Sequence, residues 1–215
     1  MFIHEFLPPV EIEATTTENG RFYQTPAGIF PSVTTVLKNK LDDRKLREWQ
    51  QRVGKAEAEA ISFQARTRGS LVHDVCERFL KNEPDVLDGL MPTDLAAFLQ
   101  IKPILLKNIT KIYGIEFPLY SETLKTAGRA DALLAWQGYD SIADFKTARK
   151  PLDIKDDRVV KYLLQATVYA MMAEELYNRE FLYNIIVVIP GDHSPIQVIA
   201  KKNVGYRSIV KDLFQ

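Results

Sequence analysis

The run Ile142-Ala143-Asp144-Phe145-Lys146 sets a carboxylate and an ammonium two residues apart. On a β-strand alternate side chains share a face, so Asp144 and Lys146 are expected side by side while Phe145 enters the opposite layer. In the strand-like run before it, Arg129, Asp131 and Leu133 are expected on one face, and a hairpin turning near Gly138 would bring Asp131 close to Asp144. Two neighbouring carboxylates repel and lose hydration unless a cation joins them. Mg²⁺, a hard ion that favours carboxylate and water oxygens, is the economical choice, with Mn²⁺ able to substitute. Such a site suits phosphodiester hydrolysis: the ion polarises a phosphoryl oxygen and acidifies a bound water, and Lys146 orients that water or stabilises developing charge. The bland alternative for Asp-x-Lys is a solvated surface pair.

Two helical stretches could complete the constellation. In Arg68-Gly69-Ser70-Leu71-Val72-His73-Asp74-Val75-Cys76-Glu77, the residues Gly69, His73 and Glu77 recur every fourth position and share one helical stripe. Gly69 leaves room for a backbone, His73 can offer a neutral imidazole to a metal, and Glu77 can fix that imidazole or a second ion. A surface histidine held by its i+4 carboxylate is the competing reading. Lys161, Gln165 and Tyr169 form a second stripe, opposite an apolar face with Leu164, Val168 and Met171. It either overlooks the metal or is a solvated polar face.

The elements that must position these residues can be read from periodicity and turn residues. Residues 21–31 predict two short strands about a Pro26-Ala27-Gly28 turn, and Ser32 caps a helix from Val33 to Lys38. Helices are expected over about Asp42–Ala60, Ile61–Leu80 and Thr93–Ile112, the last bent or broken by Pro103, with a surface loop over Asn82–Pro92. Strand-like runs follow at Ile115–Ser121, Gly128–Trp136 and Ser141–Lys146, read as an antiparallel meander. A helix over 157–178, strands at Phe181–Ile189 and Pro195–Ala200, and a closing helix at Gly205–Phe214 complete an α/β (α+β) order: a central mixed sheet flanked by helices.

The whole chain sets bounds on function. Of 215 residues, 46% are hydrophobic and 26% charged, and Lys plus Arg equals Asp plus Glu at 28 each. Such a neutral chain binds a polyanion only where positive groups cluster locally. Arg66, Arg68, Arg129, Arg149, Lys150, Lys155, Arg158 and Lys161 offer such a cluster, although 149–158 also reads as an ordinary charged loop. Phe22, Tyr23, Phe30 and Trp49 are either core or bases' stacking partners. The single cysteine, Cys76, forbids an internal disulfide and a four-cysteine zinc or iron-sulfur site, and points to a reducing cytoplasm. The N-terminus has no basic leader with an apolar stretch, and Phe181–Pro190 is too short to span a bilayer, so neither export nor a membrane is expected.

The series Gly69-x-x-x-His73, Gly128-Arg129-Ala130-Asp131, Asp144-Phe145-Lys146-Thr147 and Gln165-x-x-x-Tyr169, in this order, resembles the RecB-like branch of the PD-(D/E)XK nucleases. Residues 23–37, with Phe-Pro-Ser-Val-Thr-Thr-Val-Leu, are similar to the N-terminal segment of its phage and mitochondrial members. The resemblance implies a restriction-endonuclease-like core and a magnesium-dependent deoxyribonuclease. His73, Asp131, Asp144 and the Phe145 carbonyl would be metal ligands, Lys146 the catalytic lysine, and Gln165 and Tyr169 the motif that orients the site. Glu77 and Glu116 would be accessory acids, Glu116 alternatively pairing with Arg129, and Arg68, Arg129, Arg149, Lys150 and Lys161 would meet DNA. With one cysteine the chain resembles the members without an iron-sulfur cluster, and it holds no Gly-x-x-x-x-Gly-Lys-Ser/Thr loop. The expectation is one nuclease domain over residues 1–215: a mostly helical part with a small hairpin at 1–112 and a sheet-containing core at 113–215. It would be an exonuclease for single-stranded or frayed DNA ends, acting alone or with a helicase or recombination protein, in the cytoplasm (the host's, if phage-encoded). Alternatives are a structure-specific or restriction-type endonuclease, and a catalytically silent DNA-end-binding recombination accessory protein.

Overall fold

A computed structural model describes residues 1–41, 54–192 and 194–214. Most of the helix expected over Asp42–Ala60, and Trp49, lie outside the described residues, as do the side chains of Arg66 and Arg68.

A five-stranded mixed sheet carries the fold, built of β4 (Ile109–Ser121), β5 (Thr126–Trp136), β6 (Tyr139–Ala148), β7 (Tyr183–Pro190) and β8 (Gln197–Lys202) in that spatial order. β4, β5 and β6 form the expected meander, β6 and β7 are parallel, and β8 returns antiparallel. Parallel neighbours need a long crossover. Here it is a helix, Asp157–Tyr177, which starts at an Asp156 carboxylate accepting from Arg158 N–H and stops at Asn178 in the left-handed region. β7 is buried from Asn184 to Pro190, on both faces, as its apolar run demands.

Along the chain the helices are α1 (Val33–Lys40), α2 (Lys55–Leu80), α3 (Pro92–Asn108), α4 (Asp157–Tyr177) and α5 (Arg207–Phe214). One face of the sheet meets α1, α4 and α5 through Leu37, Leu163, Leu164, Val168, Met172 and Val210. The other meets α2 and α3 through Val72, Cys76, Leu80, Ile101 and Leu105. Fully burying each such side chain contributes about 1.5–3 kcal/mol.

A second sheet, β1 (Glu13–Thr17), β2 (Gly20–Thr25) and β3 (Gly28–Pro31), is antiparallel throughout and exceeds the hairpin expected from the turn. β1 escaped the sequence reading because Glu-Ala-Thr-Thr-Thr is exposed at every position and carries no alternation. Tyr23 and Phe30 face inward against Ala127, which removes them from base stacking and assigns them to the contact between the two sheets. Ser32 caps α1 as expected, accepting from Thr35 N–H, although the helix runs on to Lys40.

The junction of helix and strand at residues 109–112 differs from the periodicity reading. α3 passes through Pro103, whose exposed side places the missing hydrogen bond toward solvent. It then ends at Asn108 instead of Ile112, because Ile109 and Ile112 are buried in strand pairing with Trp136 and Leu134 of β5. Residues 1–7 lie along the outer edge of β4: Ile112 N–H donates to Ile3 O, and Glu5 and Leu7 N–H donate to Ile112 O and Tyr113 O.

Candidate active site

β5 and β6 pair from Trp136↔Tyr139 to Ala132↔Ala143 and then part, whereas β6 stays paired with β7 as far as Ala148↔Pro190. Asp131 stands where the strands separate. Its Oδ2 accepts a hydrogen bond from Phe145 N–H at 2.8 Å, so a side chain satisfies a donor released from the ladder.

β4 and β5 also turn over at this level. Ile115 and its partner Ala132 pack into the α2/α3 layer, whereas Phe117 and its partner Ala130 pack into the α4 layer. In a regular pleat residues two apart share a face, so the switch falls at Glu116 and, opposite it, Asp131. Glu116 has φ +45°, a conformation that costs a non-glycine residue about 1–3 kcal/mol. The expected common face for Arg129, Asp131 and Leu133 is therefore not formed: Gly128 meets Tyr169 on the α4 side, Arg129 points the other way, and Leu133 returns to the α4 layer. Regular alternation cannot survive a turned-over strand.

The turnover brings three elements together. One ligand atom from each of His73 on α2, Glu116 on β4 and Asp131 on β5 lies within 4.8 Å of the other two. His73 Nδ1 is 3.4 Å from Asp131 Oδ2. Among the described residues this is the group with metal-ligand spacing, and it contains Glu116, which the sequence ranked only as an accessory acid or a partner of Arg129. Burial first, then the Asp131 and Glu77 carboxylates, push the Glu116 carboxyl up to about 7. His73 and, after it, Arg129 offset that only in part; the Arg129 Nη1 donates to the Glu116 carbonyl, at 3.3 Å.

Asp144 and Lys146 share a face as expected. Asp144 is 1% exposed, and Lys146 Nζ lies 2.8 Å from its Oδ1 and 2.7 Å from its Oδ2. Only the contact to Oδ1 has hydrogen-bond direction, which leaves Oδ2 buried without a directed donor. Burial raises the Asp144 pKa, opposed by the adjacent ammonium and reinforced by Asp131. For Lys146, burial lowers the pKa, but the Asp144 and Asp131 carboxylates outweigh it and keep the amine charged.

The remaining residues divide. Gly69 faces the end of β6, where an added Cβ would meet Thr147 Oγ1 at 3.7 Å, an ordinary contact. Glu77 Oε1 is engaged by Lys81 Nζ at 2.6 Å and stands outside the ligand group. Tyr169 is buried, and a Cβ on Gly128 would fall 2.9 Å from its hydroxyl. Gly128 is thus small because Tyr169 fills the space above it, which links two motifs far apart in sequence. Arg149 and Lys150 are exposed beyond β6, Lys161 is half-buried, and Arg158 is tied to Asp156 by two contacts of 3.0 and 2.8 Å. Beside Glu116 and Arg129 opens a groove of about 980 Å³, walled by Phe6, Leu7, Pro9–Glu13, the β2–β3 turn and Lys81.

Chemically, an imidazole and two carboxylates drawn from separate elements can hold a hard divalent cation, and the donor set fits: mostly oxygen, half-buried, and mutually repelling without a cation. Asp144 Oδ2 adds a buried oxygen lacking a directed donor.

No protein-family model matches the chain. It is 24% identical over 176 residues to the human mitochondrial genome maintenance exonuclease 1, a match covering 78% of this chain and 51% of that protein. The chain therefore spans about half the length of the curated relative it matches, and the relationship is a distant one to an exonuclease. A solved structure of the protein SSO0001 aligns over 66% of this chain and 71% of its own with 17% identity and a TM-score of 0.30, too slight a likeness to carry an argument.

Proposed function

We propose that the chain is a divalent-metal-dependent nuclease of the PD-(D/E)XK type that hydrolyses phosphodiester bonds of DNA, working as an exonuclease on single-stranded or frayed ends. One observation carries it: His73, Glu116 and Asp131, from three elements, converge within 4.8 Å beside the buried Asp144–Lys146 pair. The distant likeness to a genome maintenance exonuclease supports the same class. His73, Glu116 and Asp131 would hold Mg²⁺, with Asp144 behind them. When bound, the ion would supply Lewis-acid polarisation of the phosphoryl oxygen and a more acidic water.

The protein's own part is positional and electrostatic. Phe145 N–H holds the Asp131 carboxylate at the divergence of β5 and β6. Asp144 keeps Lys146 in its charged form, so its ammonium can orient a water or stabilise charge on the phosphate oxygens. Arg129, exposed at the lip of the site, and Arg149 and Lys150 beyond β6 would contact backbone phosphates.

The test is a time course on end-labelled linear and circular DNA, single- and double-stranded, with Mg²⁺, Mn²⁺ or chelator. Mononucleotides or short products from linear single strands are expected, none from circles and none with chelator. Asp131→Ala should abolish cleavage while the circular-dichroism spectrum stays native. Undiminished cleavage in chelator excludes the metal, and cutting of circular single strands converts the assignment to an endonuclease.

A further inference from the structure

No motif in the sequence points to Tyr162. It stands on α4 three residues before Gln165 and seven before Tyr169, so these three share one stripe of the helix, and Lys161, expected as the first member, lies one position round from it. The Lys146 ammonium lies over the Tyr162 ring, 5.2 Å from its centroid. The same ammonium donates to Asp144 Oδ1 at 2.8 Å, and the Lys146 side chain is only 18% exposed. Tyr162 is half-buried, and among the described residues its hydroxyl has no hydrogen-bond partner, so the ring face is what ties it to the site.

A lysine is a point charge on a stem with four rotatable bonds, and a single carboxylate leaves it free to swing about that contact. A second contact at an angle to the first removes this freedom. We infer that Tyr162 is a positioning residue, whose ring face acts with the Asp144 carboxylate to fix the direction in which the Lys146 ammonium points. The ring quadrupole attracts the cation without using any of its N–H donors, so those not bonded to Asp144 stay available to a water or a phosphate oxygen. What the ammonium then does rests on the proposed function; where it is held does not.

The test compares full-length wild type, Tyr162→Phe and Tyr162→Leu by two independent readouts. The first is the ¹H–¹³C shift of the Lys146 ε-methylene in lysine-labelled protein, assigned with Lys146→Arg. An upfield ring-current displacement is expected in wild type and Tyr162→Phe and its loss in Tyr162→Leu. The second is steady-state cleavage of linear single-stranded DNA with Mg²⁺. Tyr162→Leu should lower kcat about tenfold or more with KM nearly unchanged, and Tyr162→Phe should restore it to within about threefold, since the ring and not the hydroxyl holds the cation.

A wild-type Lys146 shift without ring-current displacement overturns the inference, as does a Phe variant as impaired as the Leu variant, or an unaltered kcat in folded Tyr162→Leu. If Tyr162→Leu melts below assay temperature, Tyr162→Met of similar bulk takes its place with the same expectations. Were no protein in the set to cleave DNA while the displacement behaved as stated, the functional assignment would fall and the positioning contact would stand.

Discussion

At the scale of single residues the site balances buried charges that are unfavourable alone. Asp144 is almost fully enclosed and carries a raised pKa from burial, and the Lys146 ammonium compensates it. Removing one partner of a buried pair leaves the other unpaired, which costs about 3–5 kcal/mol, whereas neutralising both together costs far less. Lys146→Met should therefore lower stability in urea denaturation by about 3 kcal/mol, and Lys146→Met/Asp144→Asn should regain most of it. Cleavage should fall about 10²- to 10³-fold in Lys146→Met, as when one charge-stabilising donor is removed, and the double variant should not recover it. Recovery of activity together with stability would separate Lys146 from the chemistry. Asp144 and Lys146 were legible as a facing pair from residue type and spacing, whereas spacing left His73 and Asp131 as candidates and only the resemblance implied that they are ligands. The approach of Glu116 to His73 and Asp131 was not legible, since Ile-Glu-Phe-Pro shows neither the left-handed backbone at Glu116 nor the turnover that aims its carboxylate at Asp131.

Between elements, the decisive contacts are those no local pattern encodes. α4 seats Tyr169 so closely on β5 that a Cβ at Gly128 would stand 2.9 Å from the hydroxyl and 3.0 Å from a ring carbon. Because Tyr169 is buried it cannot swing aside. Gly128→Ala should therefore destabilise by about 1–3 kcal/mol, the usual cost of overpacking, and shift the strand that carries Asp131. Tyr169→Phe in that background removes the nearer clash and should return part of the loss in a double-mutant cycle; strict additivity of the two changes would rule the coupling out. Helix and strand types were readable throughout the sheet region, where alternation and apolar runs are strong. The misses, β1 and the α3–β4 junction, fall where exposed threonines hide a strand and where Ile109 and Ile112 suit either periodicity until Trp136 and Leu134 are there to pair with.

Over the whole molecule, the candidate ligands bind α2, β4 and β5 into one unit through a group whose carboxylates repel in the absence of a cation. A ligand that binds only the folded state at a hundred times its Kd adds about 2.7 kcal/mol. For a chain of 215 residues that corresponds to a rise in Tm of about 5–10 °C. Thermal melts should show this rise with Mg²⁺ or Mn²⁺ over chelator, and Asp131→Ala should erase it. An equal rise in the variant would place the ion elsewhere. The balance of 28 basic and 28 acidic residues gives no general attraction for DNA, so the proposed binding would depend on local groups such as Arg129, Arg149 and Lys150. No helix among the described residues is long and apolar enough to cross a membrane.

By itself the sequence determined the mixed sheet flanked by helices, the antiparallel meander of β4, β5 and β6, and the facing pair Asp144 and Lys146, since these follow from a residue and its near neighbours along the chain. Tertiary structure alone decided that Glu116 joins His73 and Asp131, that Gly128 yields space to Tyr169, and that Tyr162 lies under Lys146. Each of those juxtapositions joins side chains carried by different elements, so no local pattern of residues along the chain encodes it.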